Sequence, residues 1–158
     1  METSNTFTAN ANDALTPARS TGKSKGIARV APHVARILLG LVFFVFGLAY
    51  FLNFMPAPKE LPPKPAMDLS IAMMNSGYLF ALIKGTEVLV GALLLCNRFV
   101  PLALALIAPV LVNIVAFHAF LAPADIAIPV GLVALELYLA WTYRAAFRPM
   151  LAFRTPSR

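Results

Sequence analysis

The chain has 158 residues, of which 59% are apolar and only 13% charged, with the apolar residues blocked into long runs. A soluble domain of this size cannot hide that much apolar surface, whereas a bilayer core about 30 Å thick asks for about 20 apolar residues per helix, which several stretches supply. The net charge of +6 does not point to nucleic acid, because the basic residues gather toward the two termini beside apolar segments, as topology signals and headgroup contacts do.

Residues Met1 to Pro32 are rich in Asn, Thr, Ser and Ala without an apolar period, and read as a disordered tail (1–33). The tail ends in Arg19, Lys23, Lys25 and Arg29, and Arg36 stands at the mouth of the first apolar run. That run, Val34 to Phe54, is too long for the apolar core of a cleaved signal and is followed by no clear A-x-A site, so it is expected to remain as a first membrane helix. Gly40 and Gly47 share one face of it and permit close helix contact.

Met55 to Ser76 is the longest connection. Pro56, Pro58, Pro62, Pro63 and Pro65 make its first half extended and stiff. Met67, Ile71 and Met74 recur at helical spacing in its second half, with Gly77 placed to end the turn. The segment predicts either a short amphipathic helix at the membrane surface or an ordinary ordered loop.

The second helix is predicted over Gly77–Cys96, followed by a tight turn at Asn97 and Arg98. The third spans Phe99–Leu121, with Pro101 in its first turn and Pro109 in its interior, where it should bend the helix. Ala122 to Asp125 is another tight turn, with Asp125 placed to cap a fourth helix over Ile126–Phe147. Residues 152–158 form a second tail. Cys96, the single cysteine, excludes an intrachain disulfide or dithiol relay and reads as a packing or interface residue.

The fold class expected is therefore all-α: an integral membrane four-helix bundle. Arg19, Lys23, Lys25, Arg29, Arg36, Arg98, Arg144, Arg148, Arg154 and Arg158 fall on one side, against Lys59 and Lys64 on the other, which places both termini in the cytoplasm. Tyr50, Phe51 and Tyr78 then make an outer aromatic belt, and Trp141, Tyr143 and Phe147 an inner one.

Lys84, Glu87, Asn113, His118 and Glu136 interrupt the apolar runs. A charge at the centre of a membrane helix costs about 2.5–3.5 kcal/mol on insertion scales, so such groups face inward and find partners. At 1.5 Å per residue, Glu87 and Glu136 both lie about 15 Å deep and Asn113 about 12 Å, while Lys84 is one turn shallower than Glu87 and His118 is close to the outer surface. Equal depth suggests one polar cluster built from helices two, three and four. Two readings stay open: a buried polar clasp that fixes helix geometry, or a site whose two acids and one lysine hold a shareable proton for a small ligand. His118 is also open to an ordinary interfacial role. His33 is on the opposite side from His118, and no Gly-rich phosphate loop or G-x-S-x-G motif is present.

Lys84-Gly-Thr-Glu87, Gly91-Ala-Leu-Leu-Leu and Asn97-Arg98-Phe-Val-Pro-Leu-Ala occur in order. Pro109-Val-Leu-Val-Asn113-Ile-Val-Ala-Phe117-His118, Leu121-Ala-Pro123 and Leu135-Glu136-Leu-Tyr138-Leu-Ala-Trp141-Thr-Tyr143-Arg144 follow, then Phe147-Arg148-Pro-Met-Leu. In order and spacing this resembles the DoxX family of small bacterial membrane proteins over residues 34–151, in the subgroup with an Asn-x-x-x-Phe-His pattern. The resemblance implies a four-helix protein of the bacterial cytoplasmic (inner) membrane, among relatives linked to quinone reduction by sulfur compounds or to thiol and oxidative-stress systems. Relatives that use a cysteine pair differ from this chain.

The expectation is an accessory or membrane subunit of a quinone- or thiol-linked redox system, not an enzyme on its own. Its ligand is a small amphiphile, quinone being the candidate cofactor, bound by Lys84, Glu87, Asn113, His118 and Glu136. Its partners are the lipid bilayer and a membrane or redox protein, with no nucleic acid and no metal. The alternative is a non-catalytic scaffold or assembly factor; a small transporter is the third reading.

Overall fold

The computed structural model describes residues 22–54 and 61–149. The expected disordered tail before residue 22, the stiff stretch at Pro56 and Pro58, and the final segment 152–158 lie outside the described residues.

The described chain is built of helices: α1 (Gly22–Leu52), α2 (Lys64–Asn75), α3 (Leu79–Leu95), α4 (Val100–Leu121), α5 (Ala127–Thr142) and α6 (Arg144–Phe147), with a 3-10 turn at Pro123–Asp125 before α5. Two helices are long and apolar enough to cross a membrane: α1 over Arg29–Leu52, 24 residues, and α4, 22 residues. The bent pair α2–α3 makes a third when counted as one span, its halves at 91°.

Helix α1 starts well before the expected Val34 and includes Gly22 to His33, where a tail was expected. Pro32 marked that boundary in the sequence, but it sits inside the helix. A proline there removes one backbone bond, and the helix formers on either side carry the turn.

The connection after α1 contains a helix, which settles the choice between helix and loop. Pro63 enters α2 with extended backbone (φ −50°, ψ 142°) and Pro65 falls in the first turn, where a missing N–H costs nothing. Ala66 is buried and Met67, Ser70 and Met73 are half-buried, whereas Ile71 and Met74 of the expected stripe are exposed. Gly77 ends the segment at φ +79°, a conformation open to glycine. Ser76 then accepts from Leu79 N at 3.0 Å through its hydroxyl, capping α3 and turning the chain through its right angle.

The Asn97–Arg98 turn closes α3 with two backbone bonds, Arg98 N to Leu93 O (2.9 Å) and Asn97 N to Leu94 O (3.2 Å). That pattern needs a left-handed residue after the cap, and Asn97 supplies it at φ 54°. Asp125 does not cap the fourth helix: it ends the 3-10 turn, and no side chain caps α5. Nor does that helix run unbroken to Phe147. It ends at Thr142, where Arg144 Nη1 donates to Trp141 O at 3.0 Å and α6 starts as a separate turn.

Helix α1 packs along α3; α3 packs on α4, α4 on α5, and α5 back on α1, while α2 rests on α3 and α4. Gly91 lies against the Phe44 backbone, and an added Cβ would sit 2.5 Å from Phe44 N. Gly40 and Gly47 serve the same seam, as their spacing suggests. Leu39 and Phe43, Val90 and Leu94, Leu104, Ile107 and Leu111, and Leu139 form the buried core. Outward side chains are no less apolar: Ile128, Leu137, Val112 and Leu82 are all exposed. A surface of that kind suits lipid rather than water. Tyr143 and Phe147, expected in an aromatic belt, instead pack partly buried against the core.

Candidate functional site

Helix α3 holds Lys84 and Glu87 one turn apart, and the turn's geometry brings their side chains together. Lys84 Nζ donates to both carboxylate oxygens, at 2.9 and 3.1 Å. Glu87 is 3% exposed and the Lys84 side chain 20%. The pair is neutral as a unit, which is how two charges persist in an apolar setting. Lys84 Nζ also stands 5.7 Å from the centre of the Phe80 ring. From behind, Gly47 lets α1 close on this turn: a Cβ there would meet Lys84 O and Val88 at 2.9 Å.

In front of the pair lies a cavity of about 610 Å³ between α2, α3 and α4. Ser70 and Met73 of α2, Phe80 and Ile83 of α3, and Val110, Ile114, Phe117 and Leu121 of α4 wall it. Asn113 and His118 reach it from α4. Asn113 Nδ2 donates to Pro109 O at 3.0 Å. His118 Nδ1 lies 2.7 Å from Ile114 O; a carbonyl only accepts, so Nδ1 is the donor in this contact. Ser70 Oγ donates to Ala66 O at 2.8 Å.

Of the five residues expected to cluster, four therefore line one cavity: Lys84, Glu87, Asn113 and His118. Glu136 does not. It lines a separate groove of about 290 Å³ between α4 and α5, with Leu104, Ala105, Ala108, Val133 and Phe147 among its walls. The cause is rotation rather than depth. Helix α4 stands between the two spaces, turning Pro109, Val110, Asn113 and Ile114 to one and Ala105, Ala108 and Val112 to the other. Glu136 and Glu87, expected at one depth, thus line different spaces.

Sequence reasoning missed two contributions. Ser70 and Met73 come from α2, whose inward face lies beside the stripe that the spacing of Met67, Ile71 and Met74 marks. Arg36 was grouped with the topology charges, yet it is 6% exposed and crosses from α1 to the end of α3. Its Nη1 donates to the carbonyls of Leu94 and Leu95. With Arg98 N on Leu93 O, the last-turn carbonyls of α3 are thus all occupied. The available signal was position: Arg36 lies inside the first apolar run, where a charge needs a partner.

The family model described as DoxX matches residues 31–119, more than half of the chain. The matched stretch includes Lys84, Glu87, Asn113 and His118 and stops short of Glu136. No curated protein and no solved structure matches the chain.

Proposed function

The chain belongs to the DoxX family, and on that premise we propose that it is an accessory or membrane subunit of a redox system that takes a small amphiphile, a quinone or its reduced form, into the cavity of α2, α3 and α4. The single observation that carries this reading is the cavity itself. It joins a neutralised ion pair, an amide and an imidazole to walls of aromatic and branched side chains, the composition of a small-molecule site. In this reading Lys84 and Glu87 form the polar floor, Asn113 and His118 orient the head group, and Ser70 and Met73 close the α2 side.

The proposal includes a four-helix bundle of the bacterial cytoplasmic membrane with both termini inside. Arg36 meets Leu94, and Gly47 meets Lys84 and Val88, so α1 and α3 run antiparallel. The tight Asn97–Arg98 turn then starts α4 at the end where α1 starts. Two parallel spans need a crossing between them, and α3 supplies it. At 1.5 Å per residue α3 and α5 are about 26 and 24 Å long, short of a 30 Å core by an amount that local thinning accommodates.

A short-tailed quinone and its hydroquinone, titrated into purified protein in nanodiscs, test the site. At least one should bind saturably to the parent and more weakly to Glu87→Gln. Non-saturable uptake by both proteins, equal to that of empty nanodiscs, sinks the reading. Cysteine labelling tests the topology in a Cys96→Ser background. Ser76→Cys should react with an impermeant maleimide in intact spheroplasts, and Ser157→Cys only after lysis; the reverse pattern refutes the orientation.

The second reading, a scaffold that docks another membrane protein, is favoured by the Glu136 groove. That groove opens between α4 and α5, away from the cavity, and its α5 wall with Glu136 lies beyond the matched family region.

A further inference from the structure

The cavity's polar side chains share one feature. Ser70, Asn113 and His118 each donate to the backbone carbonyl one helical turn earlier, those of Ala66, Pro109 and Ile114. Lys84 donates to both oxygens of Glu87. Donors on these four residues are thus largely engaged within the protein. Left over on these side chains are mostly acceptors: the Ser70 Oγ lone pairs, Asn113 Oδ1, the outer lone pairs of the Glu87 carboxylate and, on an imidazole protonated at Nδ1 alone, His118 Nε2. The donors left are one N–H on Lys84 and the second amide hydrogen of Asn113.

A ligand whose head only accepts, such as a carbonyl or an ether, would leave most of these groups without partners in an apolar space. That is costly, because a polar group removed from water has to be hydrogen-bonded elsewhere. A head that donates satisfies them. The donor should also be neutral: the Lys84–Glu87 pair already cancels its own charge, so nothing in the cavity calls for a cationic amine. Phe80, Phe117 and the His118 ring supply aromatic surface, with Phe117 and His118 edge to face at 5.4 Å.

We infer that the α2–α3–α4 cavity selects amphiphiles bearing a hydroxyl donor on an aromatic ring, the phenol or hydroquinone class, over the corresponding ethers and carbonyl compounds. The inference rests on the amphiphile reading above and narrows it to the hydrogen-bond sense of the head group.

The test uses two probes of one shape, 4-octylphenol and its methyl ether 4-octylanisole. Each is measured by equilibrium dialysis against the full chain in nanodiscs, with empty nanodiscs subtracted. The phenol should bind saturably and at least tenfold more tightly than the ether. The double variant Asn113→Leu, His118→Phe, shown to be folded by circular dichroism and gel filtration, should bind the phenol no better than the parent binds the ether. Equal saturable binding of both probes by the parent overturns the inference and leaves the amphiphile site standing. An unchanged phenol preference in the double variant overturns the assignment to these acceptors. Absence of saturable binding by either probe overturns the inference, and with the quinone titration it removes the amphiphile site as well.

Discussion

The seam between α1 and α3 and the seam between α4 and α5 differ in how they treat an acid. Beside the first, Glu87 is buried and held by Lys84 at 2.9 Å. Along the second, Glu136 lines an open groove and has no side-chain hydrogen-bond or ion-pair partner among the described residues. The difference starts one turn away in the sequence: three residues before Glu87 stands Lys84, three before Glu136 stands Val133. Packing then enlarges it. Gly40, Gly47 and Gly91 bring the α1 and α3 backbones together until a methyl group would not fit, and Arg36 seals the end of α3. Ala105, Ala108 and Ala140 instead line a groove that the bundle leaves unfilled. The lesson is that close backbone approach and charge pairing go together here, and that a carboxylate on an apolar helix is a different object on each side.

Four substitutions press on this contrast. The largest effect is expected from Gly91→Leu. Its Cβ alone would overlap the Phe44 backbone, so α1 and α3 must separate, at a cost of about 3 kcal/mol or more. Thermal unfolding in detergent should show a marked loss of stability. A Gly91→Leu protein as stable as the parent would mean that the seam is not closed as described.

Next is Lys84→Met, which leaves the Glu87 carboxylate without its partner and should cost up to about 3 kcal/mol. Glu136→Gln alters a carboxyl that has no side-chain partner among the described residues and should change stability by less than about 1 kcal/mol. Because the two residues line separate spaces, their effects should add, with a coupling below about 0.5 kcal/mol. A double-mutant cycle in the same unfolding assay measures that coupling. A value well above 1 kcal/mol would return Glu136 to the Lys84 cluster and erase the contrast between the seams.

The smallest effect should carry the opposite sign. Gly85 also lies on α3, but nothing stands within 4 Å of where its Cβ would be. Gly85→Ala should therefore stabilise the protein by about 0.5–1 kcal/mol through backbone entropy alone. A destabilising Gly85→Ala would show that this face of α3 is occupied.

The sequence made the polar set legible because each member interrupts an apolar run. Lys84, Glu87, Asn113 and His118 were recognisable for that reason, and so was Glu136, which proved to belong elsewhere. Gly40 and Gly47 were legible as a close-packing face; Gly91, their counterpart on α3, was not, since one glycine in an apolar helix carries no period. Arg36 was hidden by its company, the last of a series of basic residues whose other members read as topology signals. Helix ends were the least legible part. Pro32 resembles a boundary and lies inside α1, and Asp125 resembles a cap but ends the 3-10 turn before α5.

By itself the sequence determined that this protein is helical and made for a membrane, and the order and spacing of its polar residues along the chain. Those properties are linear in the chain: apolar length and a rise of 1.5 Å per residue are counted directly. Tertiary structure alone decided which polar residues meet. Each residue turns a helix by about 100°, and the direction in which a side chain points acquires meaning only when the helices are set against one another. Helix α4 shows the consequence, with Asn113 and Pro109 on the side of the Lys84–Glu87 pair and Ala105 and Ala108 on the side of Glu136. Two acids that each interrupt an apolar helix thus line two different spaces, because position along a helix is written in residue number and facing is fixed by packing.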